Sequence, residues 1–229
     1  MIEGILLVDK PEGISSFGVV AKVRGCARAL TGIKKIKVGH SGTLDPAATG
    51  LLVIAVGPYT KRIPELIKKD KTYEVTMRLG QKSTTGDKEG DITAVSDAQP
   101  SLEQLQAALK AFTGDIMQTP PAFSAIKVNG QRAYDLARKG QDVQLEARPA
   151  KIYSNELTSY EYPLVRFTSK VGSGTYIRSL VEDIGETLGT GAYMCDLRRT
   201  QVGQFDIYSA ITLDQVSPET LQEYLIKLP

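Results

Sequence analysis

GHSGTLDPAATGLLVIAV, residues 39–56, is the segment that most restricts the fold. Its second part, Leu51 to Val56, is a continuous apolar run after a glycine, which is typical of a short buried strand. Its first part is rich in glycine, which permits unusual backbone angles and close approach to a ligand. This part also contains the only histidine, His40, and the carboxylate of Asp45, which precedes a proline. Asp45 is therefore a candidate site residue, although the same pair also suits a helix start with Asp45 as N-cap.

The rest of the chain predicts strands and helices that are intermixed around this segment. Strands are expected where apolar residues alternate or form short runs, over 4–9, 51–56, 71–79, 164–171 and 193–202. Helices are expected from Ser15 or Ser16 to Gly32, over 58–69 with a break at Pro64, and from Ser101, Thr175 and Ser217. Because strands and helices do not alternate strictly, the sequence predicts an α+β fold with a mixed, largely antiparallel sheet flanked by helices.

Two segments are predicted to lie outside these elements. The polar residues 81–99 are expected to form an exposed loop, and residues 118–150 a long protruding excursion of a kind that is usually functional or disordered. Apolar spacing also predicts the buried helix faces, with Val19, Val20, Val23, Ala27 and Leu30 in the first helix and Leu102, Leu105, Leu109 and Phe112 in the helix from Ser101.

The composition is that of a globular protein without a membrane segment. The chain has 229 residues, 41% of them hydrophobic, and we expect residues 1–229 to form one domain. No apolar run approaches the ~18–20 residues needed to span a bilayer. The N-terminus lacks the basic flank of a secretory signal, so a cytoplasmic location is expected. Two cysteines and one histidine give no metal-binding spacing, so we expect neither metal nor cofactor, and chemistry carried by carboxylates, Tyr, Arg and Lys.

The charged residues are unevenly distributed along the chain. Between Gly13 and Leu44 there is no acidic residue, and a second basic group follows near residues 132–151. The first group consists of Lys22, Arg24, Arg28, Lys34, Lys35 and Lys37, and the second of Arg132, Arg138, Lys139, Arg148 and Lys151. Such an asymmetry indicates a polyanionic partner, most simply a nucleic-acid backbone, although a solvated helix face explains the first run equally well.

Several segments, in order and with compatible spacing, resemble those of the TruB family of tRNA pseudouridine synthases. Residues 39–57 are similar to the catalytic motif of that family, and DKPEGISS (9–16) to its N-terminal motif, with Ser15 where threonine is common. The other similar segments are KTYE (71–74), PPAFSAIKVNGQRAYDLARKG (120–140), GSGTYIRSLVEDIG (172–185) and LRRT (197–200). The resemblance extends from residue 4 to about residue 213 and implies the pseudouridine synthase fold and the isomerisation of uridine in RNA.

The resemblance implies a catalytic role for three residues. Asp45 would be the aspartate that makes cleavage of the glycosidic bond possible, by attack on the base, by attack on the sugar or by abstraction of a sugar proton. Tyr73 would stack on the target base and help to remove its C5 proton. Arg178 would pair with Asp45, and an adjacent guanidinium can lower the pKa of a carboxylate by ~1–3 units.

The resemblance also implies how the substrate is bound. His40 would contact the RNA where the target nucleotide leaves its stack, and Tyr176 and Leu197 would line the uracil pocket. The expected partner is tRNA, with uridine 55 of the T loop as the target, and the enzyme is expected to act as a monomer. Flipping the uridine costs a few kcal/mol, which aromatic stacking worth ~1–3 kcal/mol per base offsets in part.

The resemblance further identifies residues 118–150 as a thumb-like RNA-clamping insertion. The residues expected to contact RNA are Lys10, Lys127, Arg132 and Arg138. Bacterial members of the family commonly carry a C-terminal PUA domain, which is not visible here because the sequence ends soon after Ser217, so the domain is either naturally absent or removed by truncation.

Each candidate residue also has a simpler interpretation from its own pattern. Tyr73 shares a strand face with Val75 and Met77 and would by itself be a core residue. A lone Arg178 off the apolar stripe of its helix would form a surface ion pair, and His40 would form loop hydrogen bonds. Only their joint occurrence in the family motifs favours the catalytic interpretation.

Three other functions compete with stand-alone tRNA modification. A dinucleotide site at Gly172-Ser173-Gly174 is disfavoured because Ile177 occupies the position of the third glycine. A guide-RNA-dependent enzyme acting on ribosomal RNA would share the same motifs. A non-catalytic RNA-binding module would keep the basic groups but would not need Asp45.

Overall fold

The computed structural model describes residues 2–124, 126–128, 130–141 and 143–228, and only the backbone of Lys127 and Arg132. The strands are β1 (Gly4–Lys10), β2 (Val38–His40), β3 (Thr49–Val56), β4 (Lys71–Leu79), β5 (Gln81–Ser83), β6 (Ile92–Ala94), β7 (Gly114–Gln118), β8 (Lys127–Val128), β9 (Gln131–Arg132), β10 (Arg148–Glu161), β11 (Leu164–Val171), β12 (Ala192–Val202), β13 (Phe205–Asp206) and β14 (Ile211–Thr212). The helices are α1 (Ser16–Thr31), α2 (Ile63–Ile67), α3 (Leu102–Ala111), α4 (Ala133–Arg138) and α5 (Ile177–Thr187), with 3-10 turns at Gly57–Arg62, Ile207–Ser209 and Leu213–Gln215.

The chain divides into two compact units. The first comprises Met1–Tyr73 and Leu197–Pro229, and the second comprises Glu74–Asp196. The chain passes from one unit to the other within β4 and within β12, so these two strands contribute residues to both units.

The sheet of the first unit is centred on the antiparallel pair β1 and β3. Their register runs from Gly4 opposite Val56 to Lys10 opposite Gly50, so the end of β1 lies beside the start of β3. β14 adds to β1 and β12 adds to β3, both in parallel, while β2 pairs with β3 and β13 with β12 in antiparallel orientation. This register places the turn that follows β1 and the segment that precedes β3 at one end of the sheet.

Both faces of this sheet are buried, and the prediction of a buried strand at 51–56 is confirmed. On one face, strand residues pack against residues of α1. The strand residues are Leu6, Val8, Leu52 and Ile54, and the helix residues are Val19, Val20, Val23 and Ala27. The opposite face includes Ile5, Leu7, Leu51, Val53, Leu66 and Phe205. Helix α1 is capped at its N-terminus by Ser15, whose side chain accepts a hydrogen bond from the Gly18 N–H, and at its C-terminus by Gly32 in the left-handed conformation.

In the second unit the strand order is β4, β11, β10 and β7, with β10 antiparallel to both of its neighbours. β4 alternates between buried and partly exposed residues, as its sequence predicts. Helix α3 starts with a capping box between Ser101 and Gln104, and α5 buries Leu180, Val181 and Ile184. The predicted fold class, α+β with a mixed, largely antiparallel sheet flanked by helices, is confirmed.

Four local predictions are wrong. Leu30 and Leu102 are exposed, because they lie at the edges of their helices' apolar stripes. The segment 81–99 is not a simple loop, because β5 and β6 pair within it. No helix follows Ser217 in the described part of the chain, where the side chains of Ser217 and Thr220 bond to nearby backbone and favour consecutive turns instead.

None of the helices in the described ranges is long and apolar enough to cross a membrane.

Candidate active site

Asp45 lies in a tight turn that leads directly into β3. The Ala48 N–H donates to the Asp45 carbonyl over 3.1 Å, and the chain enters the strand at Thr49 without an intervening helix. The interpretation of Asp45 as a helix N-cap is therefore wrong, and its half-buried carboxylate belongs to a turn. Its position depends on the residues that bind the backbone on either side of it.

The motif around Lys10 and Ser16 supplies these contacts. The Ser16 hydroxyl donates to the Leu44 carbonyl and accepts from the Leu44 N–H, both over 2.8 Å. On the other side, the carbonyl of Pro46 accepts from the Gly13 N–H at 2.9 Å and from Lys10 Nζ at 3.2 Å. The backbone is therefore fixed immediately before and immediately after Asp45 by residues from the end of β1 and the start of α1.

Arg199 fixes the remainder of the glycine-rich segment. Its side chain is only 2% exposed. Nε donates to the Leu51 carbonyl at 2.8 Å and Nη2 to the Gly42 carbonyl at 3.0 Å. Gly50 has φ +101°, and a Cβ at this position would overlap the backbone of Arg199. Close parallel pairing of β12 with β3 therefore requires glycine at residue 50.

Buried cationic side chains lie at the Asp45 turn and beside Gly42, which precedes it. Burial lowers the pKa of Lys10, while the carboxylate of Asp45 acts in the opposite direction. Burial, together with the charge of Arg199, lowers the pKa of Lys71 to about 8, and the Lys71 ammonium donates to the carbonyls of Ile67 and Lys69. This environment favours an anion, because Lys10, Lys71 and Arg199 are cations withdrawn from water.

His40, Tyr73 and Leu197 also belong to the first unit. Burial and then the charge of Arg199 lower the pKa of His40, whose Nδ1 accepts from the Gly42 N–H at 3.3 Å, so the neutral ring carries its proton on Nε2. Tyr73 is 7% exposed on the buried face of β4. Leu197 is half-buried, and its carbonyl accepts from Thr49 Oγ1 at 3.5 Å.

In the second unit, Arg178 is buried rather than part of a surface ion pair. Nη1 donates to the Thr85 carbonyl at 3.1 Å and Nη2 to the Phe123 carbonyl at 2.8 Å. Asp87 Oδ2 lies 3.6 Å from Nη1, and Asp87 in turn accepts from Thr85 Oγ1 and from the Glu89 N–H. The simpler interpretation of Arg178 is therefore wrong.

Asp87 is the buried residue that sequence reasoning missed. It was assigned to an exposed acidic loop, yet it is 5% exposed and pairs with an equally buried arginine. The available signal was the pattern Thr85-Gly86-Asp87, which is typical of an aspartate that folds back on its own turn.

The first turn of α5 is attached to the start of the predicted insertion. Tyr176 and Gln118 exchange two hydrogen bonds, from the Tyr176 N–H to Gln118 Oε1 and from Gln118 Nε2 to the Tyr176 carbonyl. Ser179 Oγ donates to the Thr119 carbonyl at 2.8 Å. Together with the bond from Arg178 to Phe123, these contacts fix residues 118–123 on α5.

The residues expected to contact RNA differ in their exposure to solvent. Lys10 is fully buried, and its ammonium donates to the carbonyls of Pro11, Ile14 and Pro46, so we correct its role from RNA contact to support of the Asp45 turn. Arg138 is exposed at the end of α4, with its guanidinium 5.8 Å from the ring centre of Tyr134. The side chains of Lys127 and Arg132 lie outside the described part of the chain.

The structure thus places His40, Asp45, Tyr73 and Leu197 in the first unit, and Tyr176 and Arg178 in the second. Their roles, including the pairing of Asp45 with Arg178, stay predictions.

Comparison with known families gives two matches that together cover most of the chain. Residues 28–177 match the TruB family pseudouridylate synthase (N terminal domain), and residues 178–227 match the tRNA pseudouridylate synthase B C-terminal domain. The chain is 43% identical to tRNA pseudouridine synthase B of Clostridium novyi, over 99% of this chain and 76% of the relative. It is 47% identical to the protein of the same name from Ruegeria pomeroyi, over 94% of this chain and 69% of the relative.

Solved structures give a second set of matches. A chain from the crystal structure of a Cbf5-Nop10-Gar1 complex is 31% identical with a TM-score of 0.70, over 93% of this chain and 53% of that chain. A chain from the structure of an H/ACA RNP bound to a substrate RNA containing 2'-deoxyuridine is 30% identical with a TM-score of 0.67, over 93% and 51% respectively. The present chain therefore spans about half the length of these solved chains.

Proposed function

The chain belongs to the TruB family of pseudouridylate synthases, and on this premise we propose that it converts uridine to pseudouridine in tRNA. Relatives that are 43% and 47% identical carry the name tRNA pseudouridine synthase B, which supports tRNA as the substrate. The observation that carries the proposal is the Asp45 turn, whose backbone is held on one side by Ser16 and on the other by Lys10 and Gly13. A carboxylate fixed in this way meets the need of the reaction for a group in a defined position.

The reaction exchanges the two atoms of uracil that can bond to the sugar. The N1–C1′ bond breaks, the base turns, the C5–C1′ bond forms, the C5 proton leaves and N1 gains a proton. Asp45 would enable the cleavage by attack on the base, by attack on the sugar or by removal of a sugar proton. The reaction is an isomerisation, so it requires no external oxidant or reductant.

We assign supporting roles to the other predicted residues. Tyr73 stacks on the turned base and assists removal of its C5 proton, and Arg178 keeps the carboxylate of Asp45 ionised. Tyr176 and Leu197 line the uracil pocket, and His40 contacts the RNA beside the flipped nucleotide as a neutral hydrogen-bond donor, in keeping with its lowered pKa.

The central test compares two aspartate substitutions. Wild-type protein is incubated with a T-arm stem-loop RNA, and pseudouridine is mapped at single-base resolution. Asp45→Asn is expected to lose activity by on the order of 10³-fold or more, because an amide can neither act as a base nor attack. Asp97→Asn changes an exposed aspartate and is the matched control, expected to retain full activity. Activity of Asp45→Asn at the wild-type level would refute the proposed role.

The same assay distinguishes the competing functions. We propose uridine 55 of the T loop as the target and action without a guide RNA, by a monomer in the cytoplasm that needs no cofactor or metal. Modification of tRNA transcript by the purified chain alone would exclude an obligatory guide. A wild-type protein that binds the RNA but forms no pseudouridine would instead support a non-catalytic binding module.

We also propose that residues 118–150 clamp the RNA. Their exposed Arg138 and their attachment to α5 at residues 118–123 support this role. Backbone amides of this segment are expected to gain protection from hydrogen exchange when tRNA binds. Equal protection with and without tRNA would contradict the clamp.

A further inference from the structure

Helix α1 carries an exposed stripe that begins at Phe17. Phe17 is 65% exposed. Arg24 and Arg28 follow it after seven and eleven residues, a spacing that aligns all three side chains on one face of an α-helix. Val19, Val20 and Val23 lie on the adjoining, buried face. The ring of Phe17 therefore projects into solvent beside the core.

The side chains of the stripe are available to a partner. The Arg24 guanidinium lies 5.6 Å from the ring centre of Phe17, which holds cation and ring together without a carboxylate. Arg28 is exposed, and among the described residues neither arginine forms an ion pair. Lys22 behaves differently, because its ammonium donates to the Leu213 carbonyl at 2.7 Å and so supports the fold.

The segment that carries the stripe is basic, and Glu219, whose charge reaches α1, acts on Cys26, about half a turn around the helix from Phe17. No acidic residue occurs between Gly13 and Leu44, and Lys34, Lys35 and Lys37 are exposed just beyond the end of α1. A solvated helix face normally carries both signs of charge, whereas a surface of one sign attracts a polyanion. Charge complementarity therefore favours a phosphate backbone over a protein surface as the partner.

The stripe starts at the Asp45 turn. Phe17 directly follows Ser16, whose hydroxyl bonds both to the carbonyl and to the N–H of Leu44. At a rise of 1.5 Å per residue, Arg28 lies roughly 16 Å from Phe17 along the helix axis. An RNA strand with one nucleotide at Asp45 could therefore continue along α1 for several phosphates.

We infer that the face of α1 formed by Phe17, Arg24 and Arg28 is an RNA-binding surface that continues from the Asp45 turn. Phe17 stacks on a base near the flipped uridine, and the two arginines bind phosphates of the same strand. This inference rests on the proposed function, because the RNA is placed by the nucleotide that reacts at Asp45.

The test measures kinetics and RNA affinity separately. In Arg24→Gln/Arg28→Gln, KM for T-arm RNA is expected to rise about tenfold with kcat within about twofold. The slope of log affinity against log salt should become shallower by about 1.5, since two phosphate contacts are lost. Phe17→Ala should raise KM by about tenfold, while Phe17→Tyr retains a stacking ring and should stay near wild type.

Arg166→Gln removes an exposed arginine elsewhere and is the matched control for charge loss. Arg24→Lys/Arg28→Lys keeps both charges. If the slope of log affinity against log salt returns to the wild-type value in this variant, the effect of the glutamine variant is due to lost phosphate binding and not to a folding defect. Active variants with unchanged KM and salt slope would overturn the inference while leaving the proposed function intact. An inactive wild-type protein would refute the proposed function, and direct RNA binding by the same variants would still test the surface.

Discussion

The Asp45 turn and the segment 119–147 are both irregular, but they are stabilised in different ways. The turn is held by residues distant in sequence, with Lys10, Ser16 and Arg199 all buried and all bonded to its backbone. The described hydrogen bonds of the segment 119–147 are mostly local, as in the pairing of β8 with β9 and the bond from the Tyr134 N–H to the Ser124 carbonyl. Among the described hydrogen bonds, side chains of α5 bind this segment only near its start, where Ser179 and Arg178 donate to the carbonyls of Thr119 and Phe123.

This difference indicates separate demands on the two regions. A carboxylate that takes part in bond cleavage must be positioned to within a fraction of an ångström, which buried long-range contacts achieve. A segment that closes on RNA gains from exposed cations and from few contacts that must be broken. Substitutions in the first region should therefore affect stability and kcat, and those in the second should affect RNA affinity.

The largest effect is expected from Gly50→Ala. A methyl group at residue 50 would overlap the backbone of Arg199, and φ +101° is a conformation that alanine strongly disfavours. Strain and overpacking together should lower the free energy of unfolding by about 3 kcal/mol or more, measured by urea denaturation.

Gly140→Ala is the matched control in the segment 119–147. Gly140 also has a positive φ, +72°, but an added Cβ would meet nothing within 4 Å. Gly140→Ala should lower the free energy of unfolding by only about 1 kcal/mol. If both substitutions lower the free energy of unfolding equally, the positive φ alone, and not the contact with Arg199, explains why residue 50 must be glycine.

A second prediction contrasts two adjacent serines. Ser16→Ala leaves the buried N–H and carbonyl of Leu44 without the hydroxyl that bonds them, which should cost about 2 kcal/mol of stability. Since the turn would lose its support before Asp45, kcat should fall about 10- to 100-fold with little change in KM. Stability is measured by denaturation and kcat by single-turnover kinetics.

Ser15→Ala removes the N-cap of the same helix and serves as the control. It should cost about 1 kcal/mol of stability but leave kcat near wild type. Ser16→Thr retains the hydroxyl and should recover much of the lost kcat. A fall in kcat of the same size in Ser15→Ala would mean that α1 as a whole, and not Ser16, positions Asp45.

The sequence allowed prediction of those features that depend on local pattern. Five strands (β1, β3, β4, β11 and β12), the burial of β3 and the caps of α1 and α3 follow from periodicity and capping residues, whereas the long strand β10 was not predicted. Asp45 was identified as a candidate, but its setting in a turn was not, because the pair Asp45-Pro46 suits a helix start equally well. Burial of Lys10 and Arg199 could not be predicted, since these charged residues lose their exposure through long-range contacts that no local pattern records.

Lys71 provides a third prediction, which concerns pH. Its pKa is about 8 in the folded protein and 10.5 in the unfolded chain, so the unfolded state binds more protons between these values. Its charge therefore opposes folding below pH 8, and stability should rise with pH from about 8 to 10.5. Relative to Lys71→Met, the wild-type protein should gain about 2 kcal/mol between pH 7.5 and 9.5. Lys139→Met controls for loss of one lysine charge, and a gain independent of residue 71 would contradict the assignment.

The smallest effect on stability is expected at Arg138. Its side chain is exposed and lies over the ring of Tyr134, so Arg138→Gln should change the free energy of unfolding by no more than about 0.5 kcal/mol. If the segment clamps RNA, the same change should raise KM several-fold and make the salt dependence of binding shallower by about one phosphate contact. Arg166→Gln, exposed on β11, should alter neither quantity. If Arg138→Gln lowers stability or kcat but leaves RNA affinity unchanged, Arg138 supports the fold, as Lys10 does. The proposed difference between the Asp45 turn and the segment 119–147 would then be wrong at this residue.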